Sequence, residues 1–365
     1  MKIVVLSQLP PPVNGSTLMT EILINSLKSF GNEVLIIERK FSKSIFDINR
    51  FSTIKILRLI CLIFRAQNIL KSKPRTEIFI CYFSSSRYAA IADFIICKQA
   101  ERLKIPIILY FHTIPERFQK NSSFFYSRIL SNLKVSKYVV LGEHMRYFFQ
   151  NNLEISNVTV VPNTVVESNA REISLDVAQR LHGKLSSEIV FLSNLQPNKG
   201  LDQVLLFALN VTRKYPKINF KIIGPIVDPE YMNEIRNKLL EYRLETNFEF
   251  LGYVSGKQKF EILQAADFLL FTSKLREGQP LSILESLSVG TPVLTFPSGG
   301  SVDMIIHGYN GFVSDSIDSL ADYYSSMLLS DNLYLTLRKH SIKFYEKHYS
   351  LDKYINSWRE LISSY

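Results

Sequence analysis

Short runs of β-branched and aliphatic residues recur along the chain, each followed by a longer stretch with apolar residues at helical spacing. That alternation is the pattern of parallel βαβ units rather than of a sandwich. The predicted strands of the first half are Ile3–Leu6, Glu33–Ile37, Ile78–Tyr82, Ile107–Phe111, Tyr138–Leu141 and Val158–Val161. Those of the second half are Ile189–Leu192, Phe220–Ile223, Phe248–Leu251, Phe268–Thr272, Pro292–Phe296 and Gly311–Val313. Six and six predict two doubly wound domains. Between them lies Pro162–Gly183, polar, without strand periodicity and opened by a proline directly after a strand, which marks a boundary. A last helix is expected over about Asp331–Tyr365, with Leu333, Leu337, Phe344, Tyr354, Trp358 and Leu361 on its apolar side.

The 365 residues suit two domains of similar size. A composition of 46% hydrophobic and 21% charged residues excludes global disorder. The apolar runs Ile3–Leu6 and Leu59–Phe64 are far shorter than a bilayer-spanning helix needs, so neither a secretory signal nor a spanning segment is expected. Cys61, Cys81 and Cys97 lack metal-ligand spacing and fit a reducing compartment, so a cytoplasmic location follows as an expectation.

Charge is unevenly spread. Residues 1–165 hold 22 Lys and Arg against 10 Asp and Glu, whereas the remainder holds 21 against 23, so the whole net charge of +10 resides in the first half. Such asymmetry points to an anionic partner: nucleic acid, a membrane surface or a phosphorylated substrate. Nucleic acid is disfavoured, because no zinc-finger spacing, ribonucleoprotein motif or basic region leading into heptads is present. Between Arg39 and Arg75 basic residues interleave with Phe41, Phe46, Phe51, Ile54, Leu57, Ile60, Phe64 and Leu70. That stretch reads either as an amphipathic element resting on an anionic leaflet or as an ordinary sheet-covering helix.

The sharpest motif is Arg276-Glu277-Gly278-Gln279-Pro280-Leu281-Ser282-Ile283-Leu284-Glu285, followed by Gly290-Thr291-Pro292-Val293. A helix starting near Pro280 leaves Glu277 in the preceding loop, at the carboxyl end of the strand Phe268–Thr272, where open α/β sheets place ligand chemistry. Glu285 then lies in the second turn of that helix. Elsewhere Asn14-Gly15-Ser16 follows the first strand, Phe111-His112-Thr113 the fourth and Val161-Pro162-Asn163 the sixth. Ser193-Asn194-Leu195 with Lys199-Gly200 follows the seventh, Ile222-Ile223-Gly224 ends the eighth and Phe250-Leu251-Gly252-Tyr253-Val254 the ninth. Ala265-Ala266-Asp267 and Gly299-Gly300 complete the set. The order and spacing of these pieces over nearly the whole chain resemble retaining glycosyltransferases of family GT4, whose signature is E-x7-E.

The resemblance implies the GT-B fold, an α/β architecture of two Rossmann-like domains facing across a cleft. An acceptor-binding domain is expected over 1–165 and a nucleotide-sugar donor domain over 166–340, with 341–365 crossing back to the first. It implies that Glu285 bonds ribose hydroxyls, Glu277 contacts the donor sugar, the backbone near Val254 meets the base and His112 faces the sugar and the reaction centre. The donor is expected to be a nucleotide-diphosphate sugar, with UDP favoured over GDP, and no cofactor is expected.

The residue types suit that chemistry. Breaking a sugar–diphosphate bond develops positive charge at the anomeric carbon and negative charge on the leaving group. No Asp-x-Asp pair is present to hold a metal, so cations and backbone amides must neutralise the diphosphate. Lys199, with Gly200 allowing close approach, supplies one cation, and the Gly299-Gly300-Ser301 turn is expected to supply amides and a helix dipole. Asn194 stands where the family usually has arginine, and Arg276 or Lys274 is expected to compensate. Donor contacts are thus expected from Gly15, Asn194, Lys199, Gly200, Gly224, Val254, Arg276, Glu277, Gly278, Leu281 and Glu285, with Glu277, His112 and Lys199 closest to the chemistry. For the acceptor, Ser16, Arg117 and Lys120 are candidates, the last two for a phosphate. Transfer with retention and without metal is expected, onto a lipid-diphosphate-linked glycan at the inner membrane face, as in bacterial surface polysaccharide assembly. A nucleotide-sugar epimerase and a non-catalytic sugar-nucleotide-binding protein are the alternatives.

Overall fold

The structure, a computed structural model, describes residues 1–11, 14–39, 53–84, 86–114, 123–166 and 187–365. The chain divides into two compact units, Met1–Asn163 with Tyr354–Tyr365, and Thr164–Lys353.

In the first unit the elements run β1 (Lys2–Ser7), α1 (Gly15–Ser29), β2 (Glu33–Glu38), α2 (Thr53–Lys71), β3 (Ile78–Tyr82), α3 (Arg87–Arg102), β4 (Ile107–Tyr110), α4 (Ser123–Ser131), β5 (Lys137–Val140), α5 (Glu143–Asn152) and β6 (Val158–Val160). The strands form one parallel sheet in the order β2-β1-β3-β4-β5-β6. Every residue of β1, β3 and β4 is buried, which is why these strands read as unbroken apolar runs: helices cover both faces of a parallel sheet.

The second unit holds β7 (Glu188–Leu192), β8 (Asn219–Ile223), β9 (Phe248–Gly252), β10 (Phe268–Phe271), β11 (Val293–Thr295) and β12 (Gly311–Val313), again all parallel. Their order is β12-β11-β10-β7-β8-β9. Counted from β7 this is the doubly wound order 3-2-1-4-5-6, so crossovers leave β7 and β10 in opposite directions and open a crevice at the carboxyl ends of those two strands. The pieces that end there are the Ser193–Gly200 loop and the Thr272–Pro280 loop.

The C-terminal segment differs from the single helix expected. It is two helices, Asp331–Tyr349 and Leu351–Ser363, parted at Ser350, whose backbone is extended at φ −59° and ψ 154°. The chain returns to the first unit at Tyr354 rather than at residue 341. The physical reason is that Leu337, Phe344, Tyr345 and Tyr349 are built into the cores of the second unit. Past the break, Trp358 is fully buried and packs edge-on against Tyr110 of β4, ring centroids 5.3 Å apart.

Candidate functional site

Lys199 ends a one-turn 3-10 helix, Pro197–Lys199, and Gly200 follows at φ 84° and ψ 26° before the helix Leu201–Thr212 begins. Only glycine suits that position. A Cβ there would lie 2.1 Å from the Thr272 carbonyl oxygen, and the left-handed backbone disfavours side chains anyway. The close approach is used, because Thr272 Oγ1 donates to Gly200 O at 2.8 Å and joins the loop after β7 to the loop after β10. Across that joint the Lys199 ammonium meets Glu277 Oε1 at 2.7 Å, and Ser273 Oγ donates to the same oxygen at 2.9 Å. A third loop closes from the far side. Gly300 N–H donates to Glu277 O at 2.8 Å, and Gly299 packs so tightly that a Cβ would sit 2.3 Å from that carbonyl.

These bonds correct one expectation. The Gly300 amide is spent on Glu277 and the Ser301 amide on Ser298 O, and the helix after them, Ser301–Met304, is a single turn. That turn shapes the Glu277 loop and offers a diphosphate neither of those amides nor an appreciable dipole. Of the two residues expected to compensate for Asn194, Lys274 is engaged by Asp202 at 2.8 Å. Burial alone would raise the Asp202 carboxyl, but its hydrogen bonds from Lys274 and Gln203 hold it below its ordinary range. Arg276 is exposed in the Glu277 loop and Asn194 is half-buried after β7.

Glu285 lies in the helix Leu281–Ser288, which Pro280 precedes as the N-cap residue. It is 7% exposed, and its Oε1 receives the Lys259 ammonium at 2.6 Å. Burial pushes its carboxyl above the usual range, and Lys259 opposes the shift. Lys259 stands on the helix Gly256–Ala265, whose C-terminal carbonyls are held by buried Arg338: Nη1 donates to Ala266 O and Nη2 to Gln264 O. Val254 and Leu281 are partly buried against the core of this unit. Gly224, at the end of β8, donates to Gly252 O at 2.8 Å, and Gly278 is buried.

In the first unit, Gly15 and Ser16 open α1, which Asn14 caps. Thr17 N–H donates to Asn14 Oδ1 and Asn14 N–H to Thr17 Oγ1, both at 3.0 Å, a reciprocal capping box that fixes where the helix starts. His112 follows β4. Its ring stacks on Tyr82 with centroids 4.8 Å apart and leans on Tyr110 at 4.4 Å, and its Nε2 is sealed from solvent with no hydrogen-bond partner. Burial lowers its pKa to about 3, so the imidazole is neutral at physiological pH. Arg117 and Lys120 lie outside the described residues.

The predicted residues Lys199, Gly200 and Glu277 therefore share one knot of contacts, Glu285 has its own buried partner, and His112, Gly15 and Ser16 belong to the other unit. Sequence reasoning missed Ser273 and Lys259. Ser273 is next to a strand end that was recognised, so its position was a usable signal. Lys259 looks like any surface lysine of an amphipathic helix and gave none.

Residues 176–344 match the family model described as glycosyl transferases group 1. An uncharacterized glycosyltransferase of Methanocaldococcus jannaschii is 25% identical over 371 residues, covering 99% of this chain and 97% of that protein. The 2-deoxystreptamine N-acetyl-D-glucosaminyltransferase of Niallia circulans is 26% identical, covering 58% of this chain. The chain spans 61% of the length of a matching Haemophilus influenzae glycosyltransferase, itself uncharacterized, and 55% of the Niallia protein. Among solved structures, Anabaena HepE in complex with UDP superposes with a TM-score of 0.76 at 17% identity over 100% of both chains, so the two share a fold. Knotted at the carboxyl ends of β7 and β10, the Lys199–Glu277 loops fall inside the matched segment, and it is through that segment that the chain is similar to the group 1 glycosyltransferases.

Proposed function

We propose that the protein moves a sugar from a nucleotide-diphosphate sugar to an acceptor hydroxyl, with retention at the anomeric carbon and without a divalent metal. The Lys199–Glu277 pair carries this reading, because a cation and a carboxylate 2.7 Å apart at the sheet's switch point are the two charges the substrate needs separately. When donor binds, the ammonium turns to the diphosphate oxygens and the carboxylate, released, accepts from sugar hydroxyls. Glu285 Oε2, the oxygen that Lys259 does not hold, accepts from the ribose, and the backbone at Val254 meets the base. The bond from the anomeric carbon to the diphosphate oxygen breaks and the acceptor oxygen bonds to that carbon. The acceptor proton passes to the departing phosphate oxygen on the same face, so no protein base is required.

Acceptor recognition falls to the first unit, in which His112 is a neutral imidazole and brings no charge. The basic balance of residues 1–165 favours a phosphate-bearing, lipid-linked glycan of surface polysaccharide assembly at the inner membrane face. UDP is the favoured nucleotide, since Anabaena HepE is solved with UDP and with UDP-glucose.

Screening nucleotide sugars by thermal shift tests the reading: a ligand at about 100 times its Kd adds about 2.7 kcal/mol to stability. Lys199→Ala and Glu277→Gln should each lower donor turnover by about 100-fold or more, the scale of losing a charged contact to the developing charge. No thermal shift with any nucleotide sugar would defeat the proposal. A new sugar nucleotide formed from donor alone would mean epimerisation instead.

A further inference from the structure

Helix α2 carries two apolar faces, and the core uses one. Leu62, Ala66 and Leu70, at four-residue spacing, are buried. On the opposite side Leu57 is 62%, Ile60 44% and Phe64 62% exposed, and Cys61 between them is exposed. At about 100° per residue these four positions fall within an arc of about 100°, centred opposite the buried row. The neighbouring helix α3 also leaves large apolar side chains exposed at Ile91 and Ile95. Arg65, Lys71 and Lys73, along and just beyond α2, are exposed. No described helix is long and apolar enough to cross a membrane.

We propose that this outward face of α2 is a docking surface for an anionic lipid bilayer, with Leu57, Ile60 and Phe64 entering the headgroup–acyl boundary and the basic side chains meeting lipid phosphates. An exposed apolar stripe edged by cations is the make-up of a helix that lies in the interface plane. A second copy of the chain fits less well, because pairing the stripe with itself would bring Arg65, Lys71 and Lys73 of two molecules together. The inference rests on exposure and charge and not on the transfer reaction, so either can fail alone.

The test is co-sedimentation of the full-length protein with phosphatidylcholine vesicles, with and without phosphatidylglycerol. The protein should pellet with the anionic vesicles and release as salt rises. Leu57→Ser with Phe64→Ser, and separately Arg65→Glu with Lys71→Glu, should each weaken vesicle affinity by about tenfold or more while leaving thermal unfolding and any nucleotide-induced shift unchanged. Absence of binding to anionic vesicles at low salt would overturn the proposal, as would variants that bind like the parent. A concentration-dependent dimer abolished by the serine pair, without vesicle binding, would assign the stripe to a second copy instead.

Discussion

Replacing Lys259 by methionine keeps the apolar stem and deletes the charge. The ammonium lies 2.6 Å from Glu285 Oε1, and at an effective dielectric of about 20 unit charges so placed attract by about 6 kcal/mol. Desolvation of both groups cancels much of this, and removing one partner of a buried pair costs about 3–5 kcal/mol because the other charge is left stranded. For a unit of this size each kcal/mol moves the midpoint by about 2–4 °C, so the transition of the second unit should drop by about 6–20 °C at alkaline pH. The pH dependence separates this cause from lost packing. The folded-state pKa of Glu285 is raised by burial and opposed by Lys259, so the folded chain holds this proton more tightly than the unfolded one. Its ionisation therefore lowers stability as pH rises from the unfolded value through the folded one. Without Lys259 the carboxyl is pushed higher still, and protonation at about pH 5.5 should return part of the loss seen at about pH 8. Scanning fluorimetry at the two pH values measures the gap between parent and variant. Lys259→Met combined with Glu285→Gln, which leaves no buried charge, should recover most of the midpoint. A gap of the same size at both pH values, or a double variant no better than the single, would refute the stranded-carboxylate argument.

Gly200→Ala should cost about 2–4 kcal/mol by urea unfolding, the sum of a left-handed backbone and a forced shift against Thr272 O. Gly252→Ala is the control: φ is +66° but nothing lies within 4 Å of the added Cβ, so about 1–2 kcal/mol is expected, and equal losses would show that the close approach is not tight. His112 is held neutral down to about pH 3, so the pH profile of kcat/KM should contain no inflection from it between about pH 5 and 8. Because its folded-state pKa is depressed, its contribution to stability is present above the unfolded value near 6.5 and is lost as pH falls toward 3. His112→Gln should flatten that acid limb, and an inflection near neutrality that vanishes in this variant would contradict the neutral assignment.

What could be read from the sequence follows from how far apart the interacting residues are. Strands β1, β3 and β10 are buried along their whole length, and burial on both faces writes itself into consecutive residues, so the twelve strands of the two sheets were all anticipated with small shifts at their ends. The break at Ser350 was not, because Phe344, Tyr354, Trp358 and Leu361 keep apolar character across it and neither glycine nor proline interrupts the run. A serine with ψ near 154° is enough to redirect the chain, and nothing local announces it. Lys199 and Glu277 are 78 residues apart, and only motif spacing joined them. Lys259 and Glu285 are 26 apart, yet they went unpaired, because a lysine inside an amphipathic helix carries no punctuation and its partner is chosen by how two helices pack. The stripe on α2 failed in the opposite sense. The stretch from Arg39 to Arg75 read as a sheet-covering helix or a leaflet-bound one with equal ease, since apolar residues on both sides of a helix state that two faces want cover without stating which one the sheet supplies. Burial of Leu62, Ala66 and Leu70 answers that, and it leaves Leu57, Ile60 and Phe64 as surface whose cost must be met by something other than the fold.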